Sequence, residues 1–163
     1  MTLPPYAYVP GGPWPHPISA PGGHSSGRRH AAVGPVAGDD PGTSPTFLRG
    51  VELFDAGYYW EAHESWEALW HAHGRSGPTA RLLKGLILLA AAGVKVREGR
   101  PAGVSTHAGR ALRCFKGVEG VSLGLDLPGL VELARRVEAD PPGDDAPAGS
   151  AVAVIPGFRL SRA

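Results

Sequence analysis

The chain has one cysteine in 163 residues, Cys114. No intramolecular disulfide can form, which suits a reducing compartment. Nothing beside Cys114 in sequence resembles an activating partner for a thiol nucleophile, and a free cysteine on a helix usually packs as a small hydrophobe. Charge is sparse as well. Charged residues make up 19% of the chain and the formal net charge is +1, so no strong electrostatic partner is implied. The thirteen arginines and three lysines are scattered, and the densest spot, Arg28-Arg29-His30, is too short to track a phosphate backbone. Nucleic acid is not an expected partner. Long apolar runs are missing too. The longest, GLILLAAAGV from Gly85 to Val94, has ten residues where a bilayer crossing needs about 20. The opening MTLPPYAYVPGGPWPHP has neither the basic start nor the apolar run of a secretory signal. The expectation is a cytoplasmic protein with no membrane segment.

Helix and strand signals are scarce at both ends. Residues 1–44 hold nine prolines and eight glycines with almost no apolar periodicity, which predicts a disordered tail. ADPPGDDAPAGS, Ala139 to Ser150, reads as a linker, and the AVAVIPGFRL that follows is apolar enough to lie extended against the core or a neighbour. The domain is therefore expected over residues 45–140, with 141–163 as linker and extended segment.

Between the tails the signals are helical. Ser44-Pro45 reads as an N-cap followed by proline in the first turn, and Gly57 as a stop, giving a first helix near 45–56 with Phe47, Val51 and Phe54 at core spacing. A second runs from about Tyr58 to His73. Gly77-Pro78 starts a third that ends near Gly99, and Pro101 a fourth that reaches about Lys116. Asp126 is the expected cap of a fifth, Leu127 to Glu138. The third is apolar on nearly every face, which makes it the central element. Its glycines and alanines would let neighbours approach closely. The fold class is all-α, a compact bundle of about five helices.

The second helix is crowded: GYYWEAHESWEALWHAHG carries three tryptophans, three histidines and three glutamates. On a wheel of about 100° per residue, Tyr59, Ala62, Trp66, Leu69 and Trp70 share the core face, while Glu61, Ser65, Ala68 and Ala72 point away. His63 and Glu67 stack one turn apart at the rim, with Glu64 and His71 just beyond. Three readings of this H-E-x-x-E motif stay open. In the first, His63 and Glu67 hold a divalent metal and Glu64 is a general base, with His71, His73 or His107 as the third ligand. That is a metal-dependent hydrolase. In the second, His63 and Glu67 form a structural pair joined by Arg81 or Arg110. In the third, Tyr59, His63, Glu64, Glu67 and Trp70 line a groove for a small ligand or protein partner. For Trp66, plain core packing is the simpler account. A homo-oligomer is plausible for so apolar a central helix in a small domain.

The same residues carry a resemblance. Phe54, Ala56, Gly57, Tyr59, Ala62, His63, Glu64, Glu67 and Trp70, followed by Gly85-Leu86-Ile87 and Ala90 to Ala92, resemble the Domain of Unknown Function family 309. Its pattern is F-N-A-G-x-Y-x-x-A-H-E-x-x-E-x-x-W, then G-L-I-Q-x-A-A-A and R-x-G-N. The resemblance implies a small helical fold and assigns no activity. Asp55, Leu88 and Arg100 stand where the pattern has asparagine, glutamine and asparagine, so a pocket built on that glutamine would be drier here. The first two helices also resemble a tetratricopeptide-type hairpin, present once, which implies helix-mediated association.

Overall fold

The computed structural model describes residues 2–27, 32–160 and 162–163; Arg28, Arg29 and His30 lie outside them. Five α-helices follow one another: α1 (Pro45–Asp55), α2 (Tyr59–Ala72), α3 (Pro78–Arg97), α4 (Pro101–Lys116) and α5 (Leu127–Ala139). Among the described residues no strand forms; Leu125 and Arg162 make a single isolated bridge. No helix of the described residues is long and apolar enough to cross a membrane.

Local chemistry sets the boundaries. The Ser44 hydroxyl accepts the Phe47 N–H at 3.1 Å, and Pro45 occupies the first turn, where its missing N–H costs nothing. Proline also opens α3, α4 and α5. The α1–α2 reversal turns on Gly57, whose φ of +92° favours glycine, and α3 follows Gly77 at +94°. One expected cap is absent: Asp126 precedes α5, but its side chain makes no capping hydrogen bond.

Each helix packs on its sequence neighbours, and α3 touches both α2 and α4. Close approach depends on residues without a side chain. The Trp66 indole of α2 lies where a Gly50 side chain on α1 would go, and the Phe115 ring of α4 fills the corresponding space at Gly85 of α3. A Cβ on Gly93 would sit 2.7 Å from Tyr59 Cγ and 2.9 Å from Phe158 Cε1. Glycine costs helix propensity, and here the loss is offset by buried aromatic area.

Both flanking segments lie against the bundle. Before the short 3₁₀ turn Pro41–Thr43, no helix or strand forms among the described residues. The order of this N-terminal arm comes from side chains and isolated hydrogen bonds instead. Tyr6, Ala7 and Val36 are buried. Past the linker, Ile155, Phe158 and Leu160 are buried as well, Phe158 packing on Phe54 and Tyr59 at 5.0 and 5.4 Å between ring centroids. This C-terminal strap meets the arm where the Ala7 N–H donates to the Ala151 carbonyl at 2.8 Å.

Candidate functional site

The five residues expected to line one groove are distributed among four surroundings. Tyr59 is in the core. It is 2% exposed, its hydroxyl accepts the Ile155 N–H at 2.9 Å, and burial pushes its phenol up to about 12. That is a packed structural group. Trp66, 0% exposed, is core as expected. His63 and Glu67 form a pair on the rim, with His63 Nε2 3.1 Å from Glu67 Oε2 and His63 Nδ1 3.1 Å from the Trp60 carbonyl. Glu64 opens onto a cavity that neither of them lines. Trp70 walls a different cleft altogether.

Neither arginine proposed for the rim pair reaches it. Arg81 donates to the Cys114 and Arg113 carbonyls of α4, and Glu67 is flanked by His71 instead, at 3.7 Å. The resulting ladder of His63, Glu67 and His71 climbs one helix face in steps of four residues. Its ends are about 12 Å apart along the axis at 1.5 Å per residue, too far for both imidazoles to reach one ion. The other candidate histidines lie elsewhere. His73 Nε2 accepts the Val36 N–H at 3.0 Å, and His107 lies on α4 near Lys95 and Glu98. Among the described residues no group of three His, Cys, Asp or Glu side chains is placed to hold a metal ion. A hydrolytic centre needs a third ligand and an open position, and this geometry offers two donors at most.

The best-built polar site is on the face assigned above to the side away from the core. Glu61 points away from the helical core, but the arm covers it, leaving it 7% exposed. Its Oε2 accepts the Tyr8 N–H at 3.1 Å and lies 2.7 Å from His24 Nε2. Its Oε1 is buried without a hydrogen-bond partner. Burial raises the pKa of the Glu61 carboxyl above the ordinary range, outweighing the opposing hydrogen bonds from His24 and Tyr8.

The rest of the arm is read by side chains of the α1–α2 hairpin. The Trp60 indole meets Tyr8 and His16 edge-on at 4.9 and 5.7 Å. The Tyr58 hydroxyl donates to the Pro4 carbonyl at 2.8 Å, and Arg49 donates to the Thr2 carbonyl at 2.6 Å. Within the arm, Tyr6 stacks on Trp14 at 5.2 Å and donates to the Pro15 carbonyl at 2.7 Å. Between arm and hairpin remains a cavity of about 480 Å³, lined by Arg49, Trp60, Glu61, Glu64, Ser65 and Pro17 among others. Sequence reasoning missed Glu61, His16 and His24. One signal was present: Ser65, Ala68 and Ala72, on the same face as Glu61, are small where a solvated helix face usually carries long polar side chains.

The histidines give a test by pH. Burial lowers the pKa of His73 below 6.5, and at His107 burial, Lys95 and Arg110 lower it together. A depressed imidazole favours the folded state fully above pH 6.5, and that contribution is lost as pH falls through 6.5 toward the folded value. Glu61 has the opposite sign: its raised folded pKa favours folding below the ordinary carboxyl value and loses that effect as pH rises through the raised one. The difference in melting temperature between wild type and His73→Gln/His107→Gln should therefore shrink from pH 7.5 to pH 5.5. A constant difference would show that neither imidazole is coupled to folding.

Residues 47–106 match the model of the family described as Domain of unknown function (DUF309). The match contains both blocks on which the family resemblance rests, and it bears that resemblance out. No curated protein matches the chain.

Proposed function

We propose, taking residues 47–106 as a helical core of the DUF309 family, that this protein is a recognition module. The outer face of α1 and α2 binds a proline-rich segment without helix, carrying aromatic side chains and a donor for Glu61. One observation carries the reading: Glu61 is a buried carboxylate with one oxygen held by the arm and the other unpartnered. Leaving a buried acceptor unpaired costs about 1–3 kcal/mol, so a segment that supplies a second donor would displace the arm with a net gain.

The occupant in the structure defines the ligand class. Prolines at 4, 5, 10, 13, 15 and 17 keep the arm free of internal helix, and it folds back on itself, with Tyr6 against Trp14, so that a compact proline-rich segment is what the face holds. Carbonyls from Thr2 and Pro4 meet Arg49 and Tyr58, an exposed backbone read by fixed donors. Trp60 supplies the aromatic wall.

The test uses the full chain with its arm weakened. Tyr8→Ala/His24→Ala removes the Tyr8 ring from Trp60 and the His24 imidazole from Glu61. A labelled peptide of residues 2–27 should bind this variant at least tenfold more tightly than it binds wild type, where the arm competes from within the same molecule. Adding Glu61→Ala should abolish the gain, with helicity checked by circular dichroism. A helical, arm-weakened protein that ignores the peptide at millimolar concentration would reduce the contact to ordinary packing.

A further inference from the structure

Where α2 ends, α3 begins and α4 ends, a second concavity of about 520 Å³ opens, in the size range of small-molecule sites. Trp70, Arg75, Arg81 and Lys84 line it, against a single acidic residue, Glu119. Two of the cations sit over the indole. Lys84 Nζ is 4.6 Å and Arg75 Cζ 5.6 Å from the Trp70 ring centroid. The ring quadrupole holds them there without a carboxylate.

Four of the bases elsewhere on the helices are neutralised: Arg49, Lys95, Arg97 and Arg135 all pair with Asp or Glu. Among the described residues, Arg75, Arg81 and Lys84 make no such pair. They are nonetheless held in place. Arg81 Nε and Nη2 donate to the Cys114 and Arg113 carbonyls at 3.3 Å each, leaving Nη1 unspent. Gly117 makes room for that guanidinium, which occupies the space a Cβ would take. Arg75 Nε donates to His71 Nδ1 at 3.0 Å. Arg110 and Arg113 of α4 add to the field. Both act, with Arg81 and Lys84, to stabilise a thiolate at Cys114, although burial prevails and keeps the thiol pKa raised. Cys114 is thus a marker of positive potential.

We infer that this cleft binds a phosphate monoester of a ring-bearing small molecule, of the nucleoside monophosphate class. Arg75, Arg81 and Lys84 take the phosphate, and Trp70 provides the flat wall. A doubly charged oxyanion satisfies several cations at once, and guanidinium forks match its geometry. The volume exceeds what a lone ion fills, and the indole gives the remainder of the ligand a surface. This site is separate from the arm groove and does not rest on its assignment.

Calorimetric titration of the full-length protein with AMP at low salt tests the inference, with adenosine, inorganic phosphate and a short single-stranded oligonucleotide as comparators. AMP should bind at least tenfold more tightly than phosphate or adenosine. Lys84→Gln should weaken it at least tenfold with an unchanged melting temperature. Gly117→Ala should weaken it too, by displacing the Arg81 guanidinium with no change in net charge. The inference is overturned by AMP binding no better than phosphate, or by indifference to Lys84→Gln. It is equally overturned by a preference for the oligonucleotide that grows with its length, which would mark a nucleic-acid surface.

Discussion

Trp66→Ala is expected to lower the free energy of unfolding by about 3–5 kcal/mol, the usual cost of deleting a fully buried large aromatic. Trp66 is 0% exposed, its ring lies over Gly50, and its Nε1–H donates to the Phe47 carbonyl at 3.3 Å. The side chain therefore joins α1 to α2 twice, by area and by a directed bond. Because glycine faces it, α1 offers no side chain at that position to refill the void, and much of the cavity should persist. Denaturant unfolding measures the loss. Trp66→Phe, which retains most of the ring, should cost markedly less. A loss below 1 kcal/mol for the alanine variant would mean that the hairpin is held by something else.

A loss of similar size, about 3–5 kcal/mol, is expected for Phe158→Ala, although this residue lies beyond a linker and outside the five helices. Phe158 is 1% exposed and packs against Phe54, Tyr59 and the bare backbone of Gly93. Its removal uncovers rings from two helices together. If the strap were a loosely attached extension, the variant would unfold at the wild-type midpoint. A cooperative transition at a clearly lower midpoint would show the strap to be part of the same folding unit.

The helices were legible because their signals are local. Ser44-Pro45, Gly57, Gly77-Pro78 and Pro101 each act within a turn of chain, and the observed boundaries fall within a residue or two of the expected ones. The core faces of α1 and α2 followed from periodicity for the same reason. What a wheel does not contain is the identity of whatever covers the other face. Glu61 was placed correctly on the far side of α2, yet its surroundings come from Tyr8 and His24, long-range contacts that leave no periodic trace. The basic residues repeat the lesson. Arg75, Arg81 and Lys84 look scattered along the sequence, and the fold brings them round one cleft, with Arg110 and Arg113 adding to the field at Cys114 on its wall. The candidate site was likewise read as one cluster because its residues are adjacent in sequence. A helix turns its residues outward in all directions, so Tyr59, Glu64, His63 and Trp70 face different neighbours.

The bond between the Ala7 amide and the Ala151 carbonyl ties the arm to the strap. The two flanking segments work as a clasp closed around α2, one half over Glu61 and the other over Tyr59. Opening either half removes a partner from the other, so their equilibria are linked, and linkage is reciprocal. On the proposed reading, a guest that evicted the arm would loosen the cover on Tyr59 and Phe54. By the same factor, whatever firmed that cover would make the groove harder for such a guest to enter.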